Sequence, residues 1–214
     1  MSDATFRVRM RGEMACFSRP EFSTERVSYE IMTPSAARGV LEAILWKPAI
    51  RWEVRSIALL NEVRWIEFRR NEVNSRISTR DAASAALNGS ALREFYADED
   101  RAQRNTLALR DVDYVVEAWL HMTERAGSED NPVKFREMFA RRLEKGQQHY
   151  QPYLGCREFP AIVTEAEGAP PPRDETRPLG LMLHDISFGV RNEARFFEAN
   201  LAHGVLRVPE WRVE

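Results

Sequence analysis

The 214-residue chain has only two cysteines, Cys16 and Cys156, and neither has a second Cys or a His at ligand spacing beside it. That scarcity argues against a disulfide framework or a structural zinc site and suits a reducing compartment. No run of about 18 apolar residues occurs, so no membrane span is expected. The first eleven residues carry Arg7, Arg9 and Arg11 instead of the apolar stretch of a signal peptide, and a cytoplasmic protein is expected. Charge of one sign is lacking too. The 31 Lys+Arg against 33 Asp+Glu leave a formal net charge of −2, so an acidic partner would have to be held by a local basic face. There is no glycine-rich nucleotide loop, no serine-nucleophile motif and no internal repeat. At 43% hydrophobic, the chain can bury one substantial core with a small module attached, but not two large domains.

What is present is patterned. Phe6, Val8 and Met10 alternate with Arg7, Arg9 and Arg11, the period of a strand with one apolar and one basic face. Thr33 can cap a helix opening at Pro34, along which Ala37, Val40, Leu41, Ile44 and Leu45 recur at helical spacing until Pro48 stops it. Strands are expected around Ile50, Trp52 and Val54 and over residues 63–68. Residues 77–106 lose the apolar period and read as a mobile insertion. A strand through Val112, Tyr114, Val116, Ala118 and Leu120 follows, then a helix opened by Asn131 and Pro132, with Phe135, Met138, Phe139 and Leu143 as its buried stripe. A strand is expected over 153–164. The order β, α, β, β, α, β is that of an α+β, ferredoxin-like (RRM-like) domain over residues 1–165. A Pro-rich linker at 166–178 and a small C-terminal antiparallel β module at 179–214 complete the expected organisation.

Four blocks carry a family resemblance. The first is the stretch from Thr33-Pro34-Ser35-Ala36-Ala37-Arg38-Gly39 through Leu45-Trp46-Lys47-Pro48 to Trp52. The others are Arg69-Arg70-Asn71-Glu72-Val73, Leu154-Gly155-Cys156-Arg157-Glu158-Phe159-Pro160-Ala161, and Phe196-Phe197-Glu198-Ala199 through Gly204-Val205. In this order they resemble the type I-C CRISPR-associated processing endoribonucleases. The resemblance implies metal-independent cleavage at the 3′ base of the repeat hairpin in pre-crRNA. It also implies retention of the mature crRNA 5′ handle, beside the backbone and large subunits of the type I-C interference complex.

Such cleavage needs a base for a 2′-OH, a cation for the phosphorane-like transition state and an acid for the leaving 5′ oxygen. In the family these roles look to be shared by a Tyr or His ending the first helix and a Lys-His pair opening the second. Here those positions are Leu45, Lys134 and Phe135, and Leu45 and Phe135 fall on apolar stripes that suit core. Lys134 therefore stands as the candidate cation, near a helix N-terminus that already favours phosphate. His149 and Tyr150, just past the same helix, are the candidate acid and base, while His121 and His184 read as structural. Arg19, Arg26, Tyr29, Trp46, Lys47, Arg69, Arg70, Arg76, Arg104, Arg141, Arg142 and Lys145 are the candidate RNA contacts, guanidiniums for phosphates and aromatics for stacking. Asp111, Asp113 and Glu117 are better explained by strand-edge solvation than by metal binding, so neither metal nor cofactor is expected. Two further readings stay open: a handle-holding subunit without cleavage, and a general nucleic-acid binder whose partners include duplex DNA.

Overall fold

The computed structural model describes residues 4–22, 24–75, 78–89, 96–187 and 192–210. The elements run β1 (Ala4–Ala15), β2 (Arg26–Val27), α1 (Pro34–Ile44), β3 (Ile50–Leu59), β4 (Arg64–Val73), α2 (Thr79–Asn88), β5 (Arg101–Met122), α3 (Pro132–Glu144), β6 (Ile162–Glu165), β7 (Arg177–Ser187), β8 (Glu193–Ala202) and β9 (Val205–Arg207). Strands β6, β1, β5 and β3 lie side by side in that order, all antiparallel, with α1 following β1 and α3 following β5. This is the expected α+β, ferredoxin-like arrangement.

Local chemistry sets the boundaries. The Thr33 hydroxyl accepts the Ala36 N–H at 3.3 Å, and Pro34 occupies the first turn of α1, where its missing N–H costs nothing. Asn131 caps α3 in the same way, its side chain accepting the Lys134 N–H at 2.9 Å. Both helices cover one face of the sheet. At the centre of that core the Trp52 ring meets Phe6 at 5.1 Å and Phe139 at 4.8 Å, while its indole N–H donates to the Leu45 carbonyl at 2.9 Å.

The opposite sheet face carries an ion-pair web. Arg9 grips Asp113 through Nε at 2.9 Å and Nη2 at 2.5 Å, and Arg55 stacks over Trp119 at 4.1 Å. Glu53 is held by Arg55 at 2.8 Å and His121 at 2.7 Å. Asp113 is thus committed to a cation on this face, and Asp111 pairs with Arg110 at 3.1 Å.

Four of the expected stretches look different in the structure. The stretch 77–106 is not loop throughout: Ser78 caps α2, and β5 begins at Arg101. Ala85 alone is buried in α2, which left no apolar stripe to read. β5 pairs along residues 101–110 with β4 as a ribbon, whose polar outer end at 101–105 hid its strand character; β2 joins at 106–107, and along 109–122 β5 lies in the main sheet. The ribbon ends before Asp111, which is in the left-handed region at φ 53°.

The C-terminal strands form an antiparallel unit that joins the main sheet. β9 pairs with β3, β8 with β9 and β7 with β8, so they continue the main sheet, and Leu179, Met182, Leu201 and Leu206 share the core of Met10 and Leu41. The segment read as a linker is tied down by Arg173 N–H to Leu59 O at 2.9 Å and Gly204 N–H to Glu175 O at 2.8 Å. Finally, of the strand expected at 153–164 only residues 162–164 pair in the sheet, as part of β6. The preceding residues form a loop, with Leu154 O accepting the Cys16 N–H at 3.0 Å and Leu154 N–H donating to Phe159 O at 2.8 Å. Gly155, at φ 84°, lets this loop pass the Cys16 carbonyl, which would sit 2.0 Å from any added Cβ.

Candidate nucleic-acid interface

The side chains expected to touch RNA fall into three groups. The first gathers where the chain leaving α1 meets the start of α3. Trp46 is 56% exposed and Lys47 follows it in the open. The Lys134 ammonium, at the first turn of α3, pairs with Asp130 at 2.9 Å. Lys134 and the Gly127 N–H hold the Asp130 carboxyl below the usual carboxylate range, with Lys47 adding to the field. Two cations and an exposed indole thus share a surface with one carboxylate. The N–H that the helix start would offer to a phosphate is already taken by Asn131.

The second group lies beyond the other end of α3. The His149 N–H donates to Ala43 O at 2.7 Å, fixing this turn against the last turn of α1. The Tyr150 ring packs edge-on to His149 at 5.9 Å and tilts against Tyr153 at 6.5 Å. Burial, then Tyr153 and Glu42, push the Tyr150 phenol up, against the opposing charges of Arg38 and Arg157. Lys134 and the His149–Tyr150 pair therefore stand toward opposite ends of α3, a helix about 20 Å long at 1.5 Å per residue.

The third group joins the 154–161 loop to the ribbon. Arg26 pairs with Glu158 at 3.0 Å and Glu72 at 3.2 Å, and Arg104 meets Glu72 at 3.6 Å. Arg70 donates to Thr106 Oγ1 at 3.0 Å and also pairs with Glu158. These three guanidiniums are bound to internal carboxylates, and a phosphate would have to compete for them.

Other expected contacts divide. Arg69, Arg141 and Lys145 are exposed, on the ribbon and the last turn of α3. Arg142 donates to Ile44 O at 2.6 Å, satisfying a carbonyl at the end of α1. Arg19 lies 4.5 Å over the Tyr29 ring. Tyr29 itself is a correction: it is 1% exposed, with its hydroxyl accepting the Leu183 N–H at 3.2 Å, so core packing rather than base stacking accounts for it. Arg76 lies outside the described residues. Leu45 and Phe135 are 0% and 2% exposed and belong to the core.

Sequence reasoning passed over the carboxylates, Asp130, Glu72 and Glu158, that face these cations. It also passed over Arg38, whose Nε and Nη2 grip Asp185 at 2.6 and 2.9 Å while Nη1 holds Glu42 at 2.7 Å. A cleft of about 230 Å³ opens beside that cluster, between α1 and β7. The position of Arg38 within the first family block was the available signal.

A family model described as CRISPR-associated protein (Cas5) matches residues 5–209. The chain belongs to the Cas5 family. Among its curated relatives, a CRISPR pre-crRNA endoribonuclease Cas5d from Mannheimia succiniciproducens is 43% identical over 217 residues, covering 97% of this chain and 96% of the relative. A Cas5d of the same description from Thermus thermophilus is 41% identical over 226 residues, covering 96% and 92%. Among solved structures, a CRISPR-associated protein superposes with a TM-score of 0.71 at 20% identity over 98% of this chain and 94% of that one. A chain of a CRISPR RNA-guided surveillance complex superposes with a TM-score of 0.52 at 14% identity, covering 95% and 88%. These likenesses show that the Cas5 fold extends across the whole described sheet, the C-terminal strands included.

Proposed function

We propose that this Cas5 protein is a metal-independent endoribonuclease that binds the repeat hairpin of CRISPR precursor transcripts and cuts at the 3′ base of the stem. It then keeps the 5′ handle of the mature guide within a type I-C interference complex, beside the backbone and large subunits. The observation that carries this reading is the 43% identity, over 97% of the chain, to a relative named as a pre-crRNA endoribonuclease.

Lys134 is the cation of the proposed site. Its pair with Asp130 is solvent-exposed, so exchanging that carboxylate for a phosphate costs little. Lys47 adds a second positive charge, and Trp46 offers a face on which a base can stack. His149 is the proposed base for the 2′-OH. Tyr150 is the proposed acid, because a phenol is protonated at neutral pH and has a proton to give, its upward shift making it the weaker donor until RNA binds. For all three to serve one phosphate, the segment 145–150 has to move toward the start of α3 when RNA binds. Without that motion, Lys134 anchors one phosphate and the His149–Tyr150 pair works on another.

A second reading, a handle-binding subunit that does not cut, is favoured by one observation: Leu45 and Phe135, at the positions where the family resemblance places proton-transfer groups, are core. Duplex DNA belongs to a third reading that rests only on exposed Arg side chains, and competition with unrelated DNA tests it. To decide between cutting and holding, purified protein is incubated with its repeat hairpin in EDTA. A specific product ending in a 2′,3′-cyclic phosphate supports the enzyme. Tight binding with intact RNA overturns it in favour of the holding subunit.

A further inference from the structure

The only two cysteines of the chain, 140 residues apart, meet where the end of β1 touches the 154–161 loop. Three contacts hold them there. The Cys16 N–H donates to Leu154 O at 3.0 Å, the Cys156 thiol donates to the Cys16 carbonyl at 3.6 Å, and Arg26 donates to the Cys156 sulfur at 3.5 Å. Because the approach of Gly155 to Cys16 tolerates no side chain, the backbone itself enforces the meeting.

The two sulfurs are chemically unequal. Cys16 is fully buried, and the neighbouring Cys156 sulfur and desolvation push its thiol up. Cys156 is half-buried, and the Arg26 guanidinium stands 3.5 Å from its sulfur. The neighbouring Cys16 thiol and the Arg26 guanidinium push the Cys156 thiol down, against burial and the charge of Glu158. A half-buried sulfur beside a cation, with a second thiol on the neighbouring strand end, is the arrangement of a reactive cysteine and its resolving partner.

We propose that Cys156 and Cys16 form an oxidisable dithiol that reacts with small hydroperoxides and closes to a disulfide. In the first step the Cys156 sulfur attacks a peroxide oxygen. An S–O bond forms, the O–O bond breaks, and the leaving hydroxide is protonated to water. In the second step Cys16 attacks the sulfenic sulfur: the S–S bond forms, the S–O bond breaks, and the Cys16 proton leaves with the hydroxide as a second water. Two thiols and one hydrogen peroxide thus give one disulfide and two waters, the sulfurs losing two electrons and the peroxide gaining them. The disulfide would staple the 154–161 loop to β1 and take the anionic sulfur away from Arg26. The site stands on the thiol geometry alone and does not depend on the RNA reading.

The test uses the intact protein and hydrogen peroxide. Native protein is oxidised, alkylated and digested without reductant. A peptide joining Cys16 to Cys156, lost again on treatment with dithiothreitol, is expected. The melting temperature of the oxidised protein should rise by roughly 5–10 °C, since a cross-link over so long a stretch restricts the unfolded chain. In Cys16→Ser, a close match in size, the same treatment should instead leave a Cys156 sulfenic acid that dimedone traps. The proposal is overturned if both thiols of the peroxide-treated wild type remain open to alkylation after unfolding. It is equally overturned if Cys156 proceeds to sulfinic acid with no linked peptide.

Discussion

Glu158 accepts the Arg26 guanidinium at 3.0 Å across 132 residues of sequence. The same carboxylate oxygen takes Arg70 from β4, and Phe159 sets its ring edge-on to Phe68 at 6.2 Å. The third family block is therefore the clasp that holds the β4–β5 ribbon to the body of the protein. Burial works against the Glu158 carboxylate, but its own backbone N–H together with Arg70 and Arg26 holds it below the usual range.

A group whose pKa is depressed on folding contributes stability that is present above its unfolded pKa and lost as pH falls through its folded value. For Glu158 that loss comes below about pH 4. Glu158→Gln should cost about 1 kcal/mol at pH 7, a modest figure because the clasp is partly exposed. The deficit should shrink as the pH falls below the ordinary carboxylate range, where the native carboxylate is protonated in turn. Chemical denaturation across that range checks it, and a deficit that stays constant would show that the charge is not what holds the ribbon. The same substitution leaves Arg26 and Arg70 facing Glu72 alone, so RNA binding should tighten and its salt dependence steepen.

The aromatic trio at the centre sets the cost of disturbing the helical layer. Phe139 is 1% exposed and packs against both Trp52 and Phe6. Phe139→Ala should lose about 3–5 kcal/mol, read from urea unfolding.

Leu45 tests whether a family-type proton-transfer group can be restored. Its side chain has no exposed surface, so Leu45→Tyr should overpack the core and cost about 1–3 kcal/mol without speeding cleavage. A faster cut at unchanged stability would mean that this position opens to RNA.

Lys134 separates holding from cutting. Lys134→Ala should change stability by less than about 1 kcal/mol, since it removes one exposed ion pair. It should also lower the salt slope of RNA binding by about one phosphate contact. If segment 145–150 closes on the same phosphate, single-turnover cleavage at saturating protein falls by about 100-fold or more. If affinity alone changes, Lys134 is an anchor.

How much of this was legible follows from where each signal resides. Thr33, Pro34, Asn131 and Pro132 announce helix starts through bonds made within three residues, and both caps stand where the sequence places them. The alternation from Phe6 to Arg11 is likewise local, as is the apolar character of Leu45 and Phe135. The pairing of β9 with β3 is not local: Val205, Leu206 and Arg207 find partners about 150 residues away, and nothing within the segment names them. The ribbon was obscured because Arg101, Gln103 and Arg104 need no apolar stripe in a two-stranded element open to water. At the site, the cations stood out in the sequence while their occupancy did not. That Arg26 and Arg70 are already spent on Glu158, and that Tyr29 points into the core, depends on contacts spanning 88 to 154 residues.

The central claim is that this chain itself breaks RNA by attack of a 2′-OH. The most direct test is single-turnover cleavage in EDTA of two repeat hairpins, one all-ribose and one with a 2′-deoxy sugar at the nucleotide whose 2′-OH would attack. The account predicts equal binding, a cut all-ribose hairpin and an intact deoxy one; cleavage of both, or of neither, would contradict it.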